Sequence, residues 1–481
     1  MSILLKSNIF VAGVLKGPSD GTLTYGAAVE ADLVNRGAAI YVSKSLAPGE
    51  NLVPLSGVAS ASGVVFGVQN YSPNKSVLKM IVGGHSFAEQ HSMGAPSPTF
   101  ALGYGGRGSG VWACHYSRGV LRLVYNAGVA GESSTAYRAR QASILAIECD
   151  IILNCIGVND FGTTTPVPLP TIKTNLEAIW RGQLAAGRIP VQYTVTAVGT
   201  TAFPSYAARQ HEIPQLNAWI VAFAAKNPWL VVVDEYAATI NSLDVTSYKM
   251  LAIATYDDLH KTTAGGSYGG LDTWNALKRF AGPRIGRVAS NADSRLVSST
   301  SDQLIPNPML VGTAGTKTIG AGTITGTVPD GWTAHNVAGA PAVTLTSVAS
   351  PSGIGNGVRI QITSAGSCQF YLYPTTTFEG AVVAGEPYYA EVDLDIAAMS
   401  LVTDLNFRQR LVTAAGTTLI ASMGSDDTTY PNTAQPGMTF RTPDNIMPAS
   451  TTIVNGVLVI AISAGGSIDV VFSRPEFRKV V

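Results

Sequence analysis

Charge is the scarcest property of this 481-residue chain: Asp, Glu, Lys and Arg make up 13% of it, and 31 basic residues cancel 31 acidic ones. Globular proteins average about 25% charged residues. No basic run occurs, which excludes the positive stripe of a nucleic-acid binder and the polybasic anchor of a protein held on anionic lipid. Cysteine is scarce as well. Cys114, Cys149, Cys155 and Cys368 form no Cys-x-x-Cys pair and no Cys/His metal spacing, so neither a disulfide framework nor a metal site is expected, and the four read as buried free thiols. Long apolar runs are missing: none approaches the roughly 20 residues that cross a bilayer, so no membrane insertion is expected. The run at 9–15 (IFVAGVL) is short, ends at Lys16 and lacks a small-residue cleavage site after it. It reads as a strand, and no secretory signal is expected. A fixed-period repeat is also absent, which disfavours a solenoid or propeller.

What remains is apolar and rich in turn-formers. Hydrophobic residues reach 46% at zero net charge, beside 50 Gly and 26 Pro, and this indicates packed structure rather than disorder. The length predicts two or three domains. Residues 1–70 are rich in Gly, Ser and Ala, with a candidate helix at 26–36 (GAAVEADLVNR) and a strand-like AAIYVSK after it. Residues 75–287 alternate short apolar runs with helical patterns. A polar, Ser-rich stretch at 288–304 reads as a linker, and residues 305–481 are almost purely strand and turn.

In the central segment, VLKMIVGG (77–84), VLRLVYNAG (120–128), DIILNCIG (150–157), PVQYTVTAVG (190–199) and WLVVVDEYA (229–237) are unbroken enough to be strands buried on both faces. Amphipathic stretches separate them: SSTAYRARQASILAIE, TIKTNLEAIWRGQLAAG and IPQLNAWIVAFAAKN. That alternation predicts an α/β domain, a parallel sheet covered by helices, with its chemistry just beyond the carboxyl ends of the strands. The C-terminal segment alternates apolar and polar residues in runs such as GVRIQITSA, QFYLYPTT, YYAEVDLDIAA, DLNFRQRLVTAAG, GVLVIAISAGG and SIDVVFS. These predict an antiparallel β-sandwich.

Chemistry-bearing residues stand at the strand ends. The first run closes in Gly83-Gly84-His85-Ser86, the second leads to Gly131, and the third to Gly157-Val158-Asn159-Asp160; Asp257-Asp258-Leu259-His260 follows the fifth. Each has a plain structural reading, since Asn-Asp forms turns and Asp-x-x-His caps helices. In this order, over about 75–285, the set resembles the blocks of the SGNH (GDSL) hydrolase family. The resemblance implies a three-layer α/β/α fold and a serine ester hydrolase without metal or cofactor. It assigns Ser86 as nucleophile, His260 as general base and Asp257 as its orienting carboxylate. The oxyanion donors would be the Ser86 and Gly131 backbone N–H groups and the Asn159 amide. The family usually has Asp where this chain has His85, for which a supporting role is expected. His91, His115 and His211 lack partner patterns and read as surface or structural.

Two loops, 97–119 and 160–170, are expected to overhang the site and offer Tyr104, Trp112, Tyr116 and Phe161 to substrate. The ends of the C-terminal segment, at Asn307-Pro308 and Ser467–Glu476, resemble a carbohydrate-binding-module-type jelly roll, a shape that also serves oligomerisation. The N-terminal segment resembles the attachment segments of bacteriophage tail proteins. Together these likenesses imply a homotrimeric phage tailspike, attached to a tail or baseplate protein through residues 1–70. On the virion, at the bacterial surface, it would remove O-acetyl groups from bacterial surface polysaccharide (O-antigen or capsule). A cellular carbohydrate or lipid esterase with an accessory sugar-binding module, and a non-catalytic glycan-binding adhesin on the same scaffold, are the alternatives.

Overall fold

The computed structural model describes residues 75–480 apart from 94–99, 163–165, 245–248, 285–289, 296–300 and 425–428, and seven short strands before residue 75. Two compact units emerge, Met1–Asn70 with Lys226–Pro228 and Tyr71–Ala225 with Trp229–Val481. In the first, Ser2–Leu5 pairs antiparallel with Thr22–Thr24 and with Ala39–Val42. The apolar run expected as one strand is instead an antiparallel pair, Ile9–Val11 with Val14–Lys16. The candidate helix at 26–36 lies outside the described residues.

The second unit begins with the elements β1 (Leu78–Gly84), α1 (Ser86–Glu89), β2 (Gly103–Gly105), α2 (Ser109–Tyr116), β3 (Leu121–Gly128), α3 (Ser134–Ala139) and α4 (Gln141–Leu145). It continues through β4 (Ile151–Cys155), α5 (Leu169–Ala185), β5 (Ile189–Tyr193), α6 (Glu212–Lys226), β6 (Val231–Val233), α7 (Glu235–Thr239) and α8 (Thr263–Leu277). Every residue of β4 and β5 is buried, as unbroken apolar strands between covering layers must be. The strands form one parallel sheet in the order β3-β1-β4-β5-β6. The order reverses beside β1, so the connections leaving β1 and β4 diverge and open a crevice at their carboxyl ends. α5 shows why its sequence is helical: Ile172, Leu176, Ile179 and Trp180 fall on one buried stripe, and Pro170 is accommodated in the first turn. The helix expected over 133–148 breaks in two at Arg140, whose guanidinium reaches back to the Ala127 carbonyl at 2.6 Å and to Glu132.

The C-terminal strands are β7 (Ala314–Ile319), β8 (Thr323–Gly326), β9 (Val328–Ala338), β10 (Ala342–Ala349), β11 (Asn356–Thr363) and β12 (Cys368–Pro374). After them come β13 (Pro387–Thr413), β14 (Gly416–Gly424), β15 (Gln435–Arg441), β16 (Asn445–Ile446) and β17 (Thr451–Lys479). With β2 they make one twelve-stranded hydrogen-bonded network, ordered β7-β9-β12-β17-β11-β10-β8 with β13 branching from β17 and carrying β14, β15 and β16. Most pairs are antiparallel, but β7/β9, β8/β10 and β2/β14 run parallel. Two of the expected strand–turn–strand units are single strands. β13 runs through 27 residues and β17 through 29, and their mutual register slips at five points, so bulges bend them where turns were expected.

Two differences from the sequence reading matter for the site. The segment 97–119 is not an overhanging insertion: it supplies β2, bonded to β14, and α2, whose Trp112 and Tyr116 belong to the C-terminal hydrophobic core. The described part of the expected linker is also bonded in place. Ser294 bridges to Gln303, the Leu304 N–H donates to the Phe477 carbonyl at 2.9 Å, and Asp302 pairs with Arg478. All four cysteines are free and buried.

Candidate active site

The turn after β1 exists because of Gly84. Its φ is +132°, and a Cβ there would lie 1.9 Å from the Cys155 carbonyl oxygen of β4, so only glycine lets the two strands close at this level. His85 follows in extended conformation as the cap of α1, its Nδ1 accepting from the Phe87 N–H at 3.3 Å. Burial, with the nearby charges of His260 and Lys261, lowers the His85 imidazole to about 3. It is therefore a neutral acceptor rather than a base. Ser86 is half-buried at the first helical position, and its N–H donates to no group among the described residues.

Asp257 and His260 come from a tight loop closed by the Thr255/Lys261 bridge, with Asp258 in the left-handed region (φ 67°). Asp257 Oδ1 accepts from the backbone N–H groups of Leu259 (3.0 Å) and His260 (2.6 Å), and Oδ2 lies 2.7 Å from His260 Nδ1. A carboxylate can only accept, so Nδ1 carries the ring proton. Nε2 is then free to accept from Ser86 Oγ, 2.9 Å away. Burial acts to raise the Asp257 carboxyl, but the bonds from the His260 ring and from the two backbone N–H groups outweigh it and hold it below the usual range.

Gly131 and Asn159 meet on the other side of the crevice. Gly131 (φ 72°) is exposed, and its N–H has no partner among the described residues. The next residue, Glu132, accepts from Asn159 Nδ2 at 3.1 Å through its carbonyl, while Asn159 Oδ1 accepts from the Tyr206 hydroxyl at 3.2 Å. The amide is thereby oriented with one N–H to spare. This loop is tied to the serine turn, since the Val129 N–H donates to the Gly84 carbonyl at 2.8 Å and the Ala130 N–H to Glu89 Oε1 at 2.7 Å. Asp160, beside Asn159, is fully buried and accepts from the N–H and hydroxyl of Ser134, locking α3 to the Asn159 turn. Burial raises its carboxyl to about 6 against the pull of those bonds.

The expected aromatic contacts are overturned. Tyr104, Trp112, Tyr116 and Phe161 are all buried, and the hydroxyls or indole of the first three are spent on Leu123, Gly106 and Gln435. β2, which carries Tyr104, is bonded to β14, Trp112 and Tyr116 pack in the C-terminal core, and Phe161 packs in the core of the α/β domain. The ring at the mouth is Tyr256, 47% exposed, stacked on His260 with centroids 5.9 Å apart and with the Arg107 guanidinium 4.2 Å from its own centroid. His91 is structural: Nδ1 donates to the Phe87 and Ala88 carbonyls and Nε2 accepts from the Gly110 N–H, pinning α1 to α2. His115 is likewise buried, and His211 is exposed.

Beneath the His260 loop lies an ion pair that the sequence did not signal. Lys261 is fully buried, and its Nζ donates to Glu235 Oε1 (2.8 Å) and Ser109 Oγ (2.7 Å). Among the described residues no cluster of three His, Cys, Asp or Glu side chains could hold a metal ion, and no helix there is long and apolar enough to cross a membrane.

Residues 84–266 match the model of the GDSL-like Lipase/Acylhydrolase family, a span that contains Ser86, Gly131, Asn159, Asp257 and His260. That segment is similar to GDSL-like lipase/acylhydrolase domains. The family is described as one of lipases and acylhydrolases. Solved structures similar to the chain include an acetylxylan esterase from Geobacillus stearothermophilus, at 18% identity and TM-score 0.35, covering 44% of this chain and 100% of that one. A GDSL-like lipase from Bacteroides thetaiotaomicron matches at 15% identity and TM-score 0.31, over 42% of this chain and 86% of that one. No curated protein matches the sequence.

Proposed function

We propose that this GDSL-like domain is a serine esterase that removes O-acetyl groups from bacterial surface polysaccharide. The observation that carries the reading is the hydrogen-bonded line from Asp257 through His260 to Ser86 Oγ. A serine hydroxyl is a weak nucleophile until a base in hydrogen-bond reach takes its proton. In the proposed cycle Ser86 Oγ attacks the acetyl carbonyl as its proton passes to His260 Nε2, and Asp257 stabilises the imidazolium. The oxyanion is met by the N–H groups of Ser86 and Gly131 and the spare N–H of Asn159. The sugar hydroxyl leaves with the proton from His260, and water, deprotonated by the same ring, releases acetate from Ser86.

A saccharide substrate is supported by the mouth of the site, where the exposed Tyr256 ring and the Arg107 guanidinium offer stacking and hydrogen bonding. The attachment-like texture of residues 1–70 supports placement on a phage tail, as a homotrimer acting at the bacterial surface. Acetate release from O-acetylated capsule or O-antigen is the test. Ser86→Ala should reduce it by about 10⁴–10⁶, and undiminished release by that variant would remove Ser86 from the mechanism. Light scattering of the purified chain checks the trimer.

A further inference from the structure

The outer face of the C-terminal sheet carries a groove of about 310 Å³ that belongs to no part of the esterase site. It crosses five adjacent strands, β9, β12, β17, β13 and β14. Strand alternation builds it. In β12 Phe370 and Leu372 point into the core, so Tyr371 and Tyr373 stand on the opposite face. In β17 Asn455, Val457 and Val459 form the floor, with Tyr371 opposite Val459 on one side. On the other side Arg408 stands opposite Val457, and Arg410 opposite Asn455. The result is a trough along β17, about 14 Å from Asn455 to Val459, with an aromatic wall on one flank and a basic wall on the other.

Two features show that the trough is built for a polar occupant. Asn455 is 4% exposed and lines it, yet its side-chain carbonyl oxygen has no hydrogen-bond partner, and neither has Arg408 Nε. A buried polar atom left so costs about 1–3 kcal/mol, a cost that a bound donor or acceptor removes. Arg408 is paired with Asp404, whereas Arg410 makes no ion pair among the described residues.

The geometry points to this groove as a binding site for an acidic saccharide chain, one whose sugars carry carboxylate groups. Sugar rings present flat C–H faces to Tyr371, Tyr373 and the valine floor, and a hydroxyl supplies the donor that Asn455 lacks. The carboxylate matches the planar fork of Arg410. The inference stands on the groove alone and does not require Ser86 to be a nucleophile.

Isothermal titration of the full chain carrying Ser86→Ala, with oligogalacturonate as the acidic probe and a xylo-oligosaccharide as the neutral one, tests it. The acidic probe should bind, and Arg410→Gln or Tyr371→Ala should each weaken it about tenfold or more. Either substitution should leave the urea unfolding midpoint and the far-UV circular dichroism of the full chain unchanged, which certifies the fold. Failure of oligogalacturonate to bind, equal affinity for the neutral probe, or indifference to Arg410→Gln would each overturn the assignment. So would a fall in oligomeric mass on Tyr371→Ala, which would make the groove a contact between copies of this chain. Because binding is read independently of turnover, a failed esterase reading leaves this result standing.

Discussion

Around Ser86, the groups proposed to meet the oxyanion are themselves held in place by neighbours. Asn159 is the clearest case, since one of its amide hydrogens and its carbonyl are already used by Glu132 and Tyr206. Asn159→Ala should lower kcat by about 10²–10³ with little change in KM. Tyr206→Phe, which frees the amide to rotate, should give a smaller loss of the same kind; a change in KM alone would point to substrate contact instead. His85 predicts a null result. Lowered to about 3, it stays neutral over the working range, so His85→Asn, which keeps a capping acceptor, should leave the shape of the pH–rate profile unchanged. Asp160 bears on stability. Its carboxyl is raised to about 6 in the fold and returns to about 3.9 in the unfolded chain. Between those values the folded state holds more protons, so the Asp160 contribution is full below about pH 4 and is lost as pH rises through about 6. Urea midpoints measured from pH 4 to 7 should fall with rising pH more steeply in wild type than in Asp160→Asn, and parallel curves would refute the assignment.

The elements explain why the residues are held so closely. The His260 loop rests on Lys261, whose ammonium is buried against Glu235 at the start of α7 and Ser109 at the start of α2. Removing one partner strands the other charge, so Lys261→Met should cost about 3–5 kcal/mol in urea unfolding, and Lys261→Met with Glu235→Leu clearly less. At this scale the sequence was legible where one period ruled. β1, β3, β4, β5 and β6 fall on the runs expected, and the inner strands β1, β4 and β5 are almost unbroken apolar runs because both their faces are covered. The blocks at 84–86 and 157–160 were legible because each directly follows a strand, whereas 257–260 stands in a loop before α8, well beyond the end of β6. α8 was not: its TAGGSYGGLDTWNAL is too glycine-rich for a strong helix pattern. Those glycines serve close approach, and a Cβ at Gly270 would stand 2.2 Å from the Trp112 Cβ. Tyr206 and Tyr256 had no signal either, since nothing local to them records the Asn159 amide or the His260 ring. Trp112 and Tyr116, misread as substrate contacts, show the converse limit: their burial is decided by strands far along the chain.

Over the whole molecule, the hydrolase segment and the C-terminal sheet share structure. β2 pairs with β14, α2 lends Trp112 and Tyr116 to the other core, and Arg284 bonds Asp393 of β13 at 2.9 Å. A chain ending at residue 287 should therefore expose those two aromatic rings, bind a hydrophobic dye and aggregate, whereas an independent hydrolase domain would remain soluble and active.

That shared sheet has a meaning for the history and the making of the protein. A domain tied to its neighbour only by a tether can be moved between genes as a cassette, but a strand that must hydrogen-bond a partner made much later cannot. During synthesis β2 leaves the ribosome long before β14 exists, and Arg107, which follows β2 and lies over Tyr256, waits with it. Ser86, the proposed nucleophile, emerges early, whereas the Gly106 N–H beside Arg107 finds the Gly424 carbonyl only when the C-terminal strands arrive.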